Sequence, residues 1–272
     1  SDFSRKDFTS SIKKAKDYIY SGDIYQTVLS RRLSGKFQGE QLRAYGALRK
    51  INPSPYMYHL KFGETRVIGS SPEELVSVSS DEISTYPIAG TRPLGETPQE
   101  REKLRTDLLT DEKERAEHNM LVDLARNDVG RVAKFNSINV PKYMEVRKFS
   151  HVQHIVSRVT GKLMEEKQGF DAFAGLFPAG TVSGAPKIRA MELIDELEVS
   201  PRGPYAGAVG YLSFTGDFDS CITIRTLFTR GDRITLRAGA GIVADSDAEK
   251  EWEEINHKLG ALKDAVSSGG EG

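Results

Sequence analysis

Apolar residues recur three or four positions apart, the spacing of a half-buried helix, over 7–20, 40–50, 100–125, 167–176, 186–198 and 247–266. Alternating or β-rich runs fall between them, at 24–34, 56–62, 65–70, 74–79, 149–161, 205–214, 219–228 and 233–243. The strands come in runs rather than one after each helix. That order predicts an α+β fold of largely antiparallel sheets flanked by helices, not a doubly wound parallel sheet. No repeat, low-complexity block or shift of composition marks a linker, so residues 1–266 are expected to form a single domain. The closing "SSGGEG", residues 267–272, has the composition of a disordered tail.

A chain of 272 residues with 38% hydrophobic content can bury a sizeable core. Its 38 basic and 39 acidic residues are well mixed and leave a net charge of -1, which argues against nucleic acid or another polyanion and for a small ligand. Cys221 is the only cysteine. This excludes a disulfide framework and a thiolate metal cluster, and it fits a reducing cytoplasm. No run approaches the ~20 apolar residues of a membrane span. The opening "SDFSRKDF" carries no signal-peptide pattern, starts at Ser1 and reads as part of a longer chain.

Candidate chemistry concentrates in a few stretches. At 177–187, "FPAGTVSGAPK" is a glycine-rich turn feeding a helix, because Ile188, Met191, Ile194 and Leu197 follow at helical spacing and Pro186 stands where a first-turn proline is tolerated. Gly180 and Gly184 would let an anion approach the backbone near a helix N-terminus; the alternative is a helix-entry turn that binds nothing. A nucleotide P-loop is excluded by spacing, since Ala185 and Pro186 separate Gly184 from Lys187 and Ile188 follows.

Two helices carry carboxylates three residues apart, Glu114 with Glu117 and Glu251 with Glu254, so each pair shares a helix face. Such faces are commonly just solvated. Glu117, however, lies among Met120, Leu121 and Leu124, where an idle carboxylate would be costly to bury, and a metal or proton-transfer role follows. Carboxylates alone suit Mg²⁺ rather than zinc. Tyr205 and Arg225 fall in strand-like runs, and Arg225 could fork onto a carboxylate or be an ordinary exposed strand arginine. The glycines of "AGAG" at 238–241 permit close backbone approach or mark a bend. His151 and His154 alternate with apolar residues, as structural strand histidines do.

Taken in order, "DIYQTVLSRR", "INPSPYM", "GSSPEEL", "PIAGT", "ERAEHNMLVDLARNDVGRV", "FSHVQHIVS", "FPAGTVSGAPK", "YAGAVGY", "IRT", "AGAGIVADS" and "EINHK" resemble the chorismate-utilising enzymes, above all the large subunits of anthranilate synthases, over nearly the whole chain. The resemblance implies the chorismate-binding-enzyme fold and a dianionic substrate for the 177–187 loop. It implies that Glu117 and Glu254 hold Mg²⁺ with Glu114 and Glu251 in support. Tyr205, Arg225 and the backbone of Gly239, Ala240 and Gly241 would take the enolpyruvyl carboxylate, and Gly90, Thr91, Thr181 and Lys258 would complete the pocket. Glu73 matches the acid that protonates the departing C4 hydroxyl, and His154 the histidine linked to pyruvate loss. The implied reaction is Mg²⁺-dependent attack of ammonia at C2 of chorismate, then pyruvate elimination to anthranilate. The implied partner is a glutamine amidotransferase subunit, component II.

Two positions separate the siblings. Relatives that add water carry a lysine base where this chain has Gln26, which cannot deprotonate water. Many aminodeoxychorismate synthases carry a nucleophilic lysine at the position of Ala89, although some have alanine. Pro55, Tyr56 and Met57 resemble part of the family's tryptophan-binding site, whose other half lies in an N-terminal region absent from this sequence. Leu94 replaces the commoner arginine of "TRPRG". The expectation is an anthranilate synthase; an aminodeoxychorismate synthase of the lysine-independent type and an idle chorismate-binding fragment are the alternatives.

Overall fold

The structure is a computed structural model and describes residues 1–149 and 152–270. Along the chain run α1 (Arg5–Tyr20), β1 (Gln26–Lys36), α2 (Gln41–Ile51), β2 (Tyr56–Phe62), β3 (Thr65–Ser71), β4 (Glu74–Ser79), β5 (Glu82–Thr85) and β6 (Ile88–Pro93). Then come α3 (Pro98–Thr110), α4 (Glu112–Gly130), β7 (Asn139–Lys148), β8 (Val152–Lys162), α5 (Gly169–Leu176), α6 (Gly180–Ser183), β9 (Gly184–Ala185) and α7 (Lys187–Leu197). The last elements are β10 (Ala208–Leu212), β11 (Phe218–Ile222), β12 (Thr226–Arg230), β13 (Arg233–Ile242) and α8 (Ala248–Gly270).

These elements divide into two compact units: Ser1–Pro72 with Pro178–Ala208 and Ile222–Gly272, and Glu73–Phe177 with Val209–Cys221. The sequence led us to expect one domain. Neither unit is continuous in sequence, so no stretch of linker composition announces the division. The chain end also differs from expectation, because α8 continues through Gly270 instead of giving way to a tail at 267; Glu271 and Gly272 lie outside the described residues.

The first unit is a six-stranded antiparallel sheet in the order β2-β3-β12-β13-β1-β9. Alternation decides its two faces. Leu29, Ile68, Leu227, Leu236, Ala238, Ala240 and Ile242 join Phe8, Ile12, Leu193, Ile255 and Leu259 from the helices in one core. The next residues along the same strands, Gln26, Ser30, Arg237, Gly239 and Gly241, therefore point to the opposite face. Around Gly239 and Gly241 that face is largely polar or bare, with Val28 its apolar exception on β1. Arg31 is an exception on the helical side: its guanidinium lies 3.9 Å from the Trp252 ring centroid, and it donates to Asn256.

The second unit is built on a sheet in the order β10-β11-β4-β5-β8-β6, with β7 also pairing β8. Leu108, Leu121, Val122 and Val129 of the helices and Val76, Ile83, Ile155 and Val159 of the strands are buried. The spacing predicts one helix over 100–125, but Asp111 takes an extended conformation (φ -70°, ψ 111°), ending α3 and capping α4 by accepting from Lys113 N and Glu114 N. His118 fastens α4 to β8: it is fully buried, its Nε2 lies 2.6 Å from Ser157 Oγ, and that oxygen accepts from Met144 N at 2.9 Å. Three strands escaped the sequence pattern. β5 has four residues, β6 contains Gly90 and Pro93, and β7 contains Pro141 with broken register against β8. Among the described residues no helix is long and apolar enough to cross a membrane.

Two outcomes follow from these contacts. A Cβ on Gly184 (φ +139°) would lie 2.2 Å from Gln26 O and 2.8 Å from Thr27 Cα, so Gly184→Ala must push β9 off β1; thermal or urea denaturation should show a loss of at least about 2 kcal/mol. Burial holds the His118 imidazole down at about 4, from an ordinary 6.5. The unfolded chain therefore takes up that proton first as pH falls. Stability should be insensitive to His118 above pH 6.5 and should decline between 6.5 and 4 by on the order of 3 kcal/mol. Urea unfolding of His118→Gln across that range should show a correspondingly flatter profile.

Candidate active site

In the first unit the chemistry gathers on the bare face of the sheet. Pairing of β12 with β13 ends at Leu227↔Leu236, whereas β1 stays paired with β13 as far as Ile242. Beyond Leu236, then, one edge of β13 has no described strand beside it. Lys258 Nζ donates to Gly239 O on that edge at 3.0 Å, and by the alternation of an antiparallel ladder Gly241 turns its backbone groups to the same side. A side chain is excluded above Gly239, and one above Gly241 would have to displace the Gln26 amide. A Cβ on Gly239 would meet Tyr205 Oη at 2.7 Å and Leu29 O at 2.9 Å, and one on Gly241 would meet Gln26 Nε2 at 2.6 Å. Ala240, named with them, sends its methyl into the helical core and offers only backbone.

Tyr205 and Arg225 are not strand residues as the sequence pattern implied. Tyr205 sits in the turn before β10. Arg225 lies in the link between β11 and β12 with φ +49°, its carbonyl accepting from Ser70 N. A single β-rich run at 219–228 is thus two strands, parted where Arg225 must depart from sheet geometry. Thr181 belongs to α6, and its Oγ1 is buried with no hydrogen-bond partner among the described residues. Orphaned buried hydroxyls are rare in folded proteins, and a ligand oxygen is one way to satisfy this one. Glu251 and Glu254 lie on α8, where Lys258 Nζ is 2.6 Å from Glu254 Oε1. The 177–187 stretch is more structured than a turn, forming α6, then β9 paired to Gln26 and Thr27, with Pro186 as the N-cap of α7.

The second unit carries Glu73, Gly90, Thr91, Glu114, Glu117 and His154. β6 loses register against β8 between Ala89 and Thr91, and Gly90 there has φ +64°. His154 Nδ1 is 2.8 Å from Gly90 O and 3.1 Å from Thr91 Oγ1. A carbonyl can only accept, so Nδ1 carries the proton and the basic lone pair of the neutral ring is on Nε2. Glu114 covers Gly90, its Oε2 3.1 Å from where a Cβ would stand. Arg92 fixes that carboxylate, donating to Glu114 at 2.9 Å, Asp111 at 2.8 Å and Asp107 at 2.6 Å. These bonds raise the guanidinium's pKa, Asp107 most of all. The Asp111 carboxyl is lowered by its bond from Glu114 N. Glu117 is half-buried one turn further along α4, and Glu73 is half-buried just before β4. His151 lies outside the described residues.

Pro55, Tyr56 and Met57 lie apart from the glycines of β13 within the first unit. They stand at the start of β2, the edge strand, with β3 and β12 between it and β13. Sequence reasoning missed the support beneath Tyr205. The Glu198 side chain, 3% exposed, accepts from Ser30 N and Ser30 Oγ at 2.8 Å, from Arg202 Nη2 at 2.7 Å and from Arg237 Nη2 at 3.0 Å. Burial lowers the pKa of Arg237, against the pull of Glu198. The trace in sequence was a polar Ser30 in the strand-like run "TVLS" and Arg237 in the strand-like run "ITLRAGA".

The carboxylates present fit Mg²⁺ by donor type. Among the described residues no group of three or more His, Cys, Asp or Glu is arranged to hold a metal.

The chain was compared with known proteins. The family model for chorismate binding enzymes matches residues 1–264. Anthranilate synthase component 1 of Acetivibrio thermocellus is 55% identical over 271 residues, covering 100% of this chain and 55% of the relative. That of Methanothermobacter thermautotrophicus is 52% identical over 270 residues, covering 99% of this chain and 58% of the relative. The crystal structure of anthranilate synthase component I from Streptococcus pneumoniae superimposes with a TM-score of 0.89 at 48% identity, covering 96% of this chain and 58% of that one. The menaquinone-specific isochorismate synthase of Escherichia coli gives 0.86 at 27% identity, covering 97% and 61%. The chain spans about half the length of the curated relatives it matches. With its antiparallel sheets, its helices and a match over nearly all its residues, this chain belongs to the chorismate binding enzyme family.

Proposed function

We propose that this chain is the catalytic part of an anthranilate synthase large subunit, making anthranilate and pyruvate from chorismate and ammonia with Mg²⁺, as a step of tryptophan biosynthesis. The observation that carries the reading is Gln26. It is 3% exposed and lies against Gly241, on the open edge of β13. A glutamine there can orient a nucleophile but cannot take a proton from water, so ammonia, which arrives as a nucleophile, is favoured over hydration. The relatives named anthranilate synthase component 1 are 48–55% identical to this chain, against 27% for the isochorismate synthase, which supports the same choice.

In this reading the N–H groups of the 239–241 edge, Tyr205 Oη and the Arg225 fork receive the enolpyruvyl carboxylate, and Thr181 Oγ1 gains the partner it lacks. Glu117 and Glu254 are the carboxylates offered to Mg²⁺, with Glu114 and Glu251 behind them; Lys258, which already donates to Gly239 O, then gives up its pairing with Glu254 for the substrate. Magnesium supplies charge neutralisation at the ring carboxylate. Glu73 donates to the leaving C4 hydroxyl. His154, held by Gly90 O with its lone pair on Nε2, manages the proton during pyruvate loss. Cys221 is 1% exposed within β11, out of reach as a nucleophile for glutamine hydrolysis, so a separate component II supplies ammonia from glutamine.

Anthranilate fluorescence should grow when the chain is given chorismate, Mg²⁺ and an ammonium salt, faster above pH 8 as free ammonia increases, and should not grow with glutamine until component II is added. Pyruvate-free accumulation of aminodeoxychorismate would favour the folate-type sibling, and chorismate binding without any product would favour an idle fragment. Glu117→Gln and Glu254→Gln should each lower turnover about a hundredfold or more and weaken Mg²⁺ binding measured by calorimetry in the presence of chorismate. Two variants with unchanged metal affinity would remove the carboxylates from the metal's shell.

A further inference from the structure

We infer that Arg202 is a positioning residue for the carboxylate end of the substrate pocket. This rests on reading the chain as a chorismate-binding catalyst. Arg202 spreads its planar fork over segments that are far apart in sequence. Nη1 donates to Val182 O of α6 at 2.6 Å, and Nη2 donates to Val28 O of β1 at 2.6 Å and to Glu198 Oε1 at 2.7 Å. Nε lies 3.2 Å from both Glu198 oxygens. The guanidinium carbon sits 5.5 Å from the Tyr205 ring centroid, within cation–π range, and the hydroxyl of that ring rests on Gly239.

One side chain thus sets where α6, with Thr181, stands relative to β1, with Gln26, and what Tyr205 leans on. Glu198 fixes the fork in turn, since its buried carboxylate is held by Ser30 and Arg237 as well. A lysine could keep the charge but could not reach Val182 O, Val28 O and Glu198 together while facing a ring.

The variants are Arg202→Lys, Tyr205→Leu and the double change. Calorimetry with chorismate and Mg²⁺, without ammonia, should show Arg202→Lys weakening binding about five- to tenfold, about 1–1.4 kcal/mol. In the Tyr205→Leu background the same change should cost less than about twofold, because its effect passes through the ring. A merely structural arginine would lower the melting temperature and give additive losses, and that overturns the inference. Hydrogen exchange on the ligand-free chain provides a reading independent of substrate. Arg202→Lys should speed exchange at 180–184 and 203–207 while β13 and α8 keep their protection; unchanged or uniformly faster exchange overturns the inference. If the unaltered chain binds no chorismate, the substrate reading fails on its own and the exchange result still decides whether Arg202 positions these segments. Should Arg202→Lys not fold, Arg202→Gln, which leaves the Glu198 carboxylate its bonds from Ser30 and Arg237, serves for the same measurements.

Discussion

A carboxylate as enclosed as that of Glu198 must be compensated or it would not stay ionised inside a fold. Most of the first unit's bare face can be read as the consequence of this one constraint. Arg237 comes from β13, Ser30 from β1 and Arg202 from the segment after α7, and each is oriented by donating to the same two oxygens. The ion cluster earns little net stability, since burial costs such groups much of what pairing returns. What it supplies is geometry: one arrangement of β1, β13 and the 200–207 segment satisfies every donor, and alternatives leave a buried charge alone.

On that frame, the glycines at 239 and 241 are intelligible as absences. A sheet face on which Tyr205 and Gln26 rest this closely has no room for side chains of its own at those positions unless those two groups move. β12 stops pairing at Leu236 and Arg225 turns away in the left-handed region, so the edge is left open where the glycines begin. Packing and site therefore come from one alternation, with even residues of β13 in the core and odd residues in the chemistry.

How much of this could be read from the sequence follows from what periodicity encodes. The long helices and paired strands of the first unit were legible because Leu29, Leu227 and Ile242 keep strict alternation against helices whose apolar residues recur at 3.6. The break at Asp111 was not, because a capping aspartate looks like any other acidic residue in a charged helix until its acceptors are seen. β6 and β7 were hidden by Gly90, Pro93 and Pro141, which read as loop punctuation yet serve a bulge and an edge strand. For the site, Gly90, Glu114 and His154 were named from motifs and do meet in one place. Arg92, Glu198 and Arg202 were not named for what they do. A residue whose work is to hold another residue leaves no local pattern, only a polar letter where an apolar one would pack as well.

The two units also differ in how their charges are matched. Around Gly90, the single guanidinium of Arg92 faces Asp107, Asp111 and Glu114, and Glu117 adds a further carboxylate, so the surplus is negative. Around Gly239 the charges are matched: Arg202, Arg237 and Lys258 are paired with Glu198, Asp2 and Glu254. The carboxylate-rich surroundings of Gly90 favour a cation there, whereas the matched pairs around Gly239 give the first unit a fixed geometry rather than a net field.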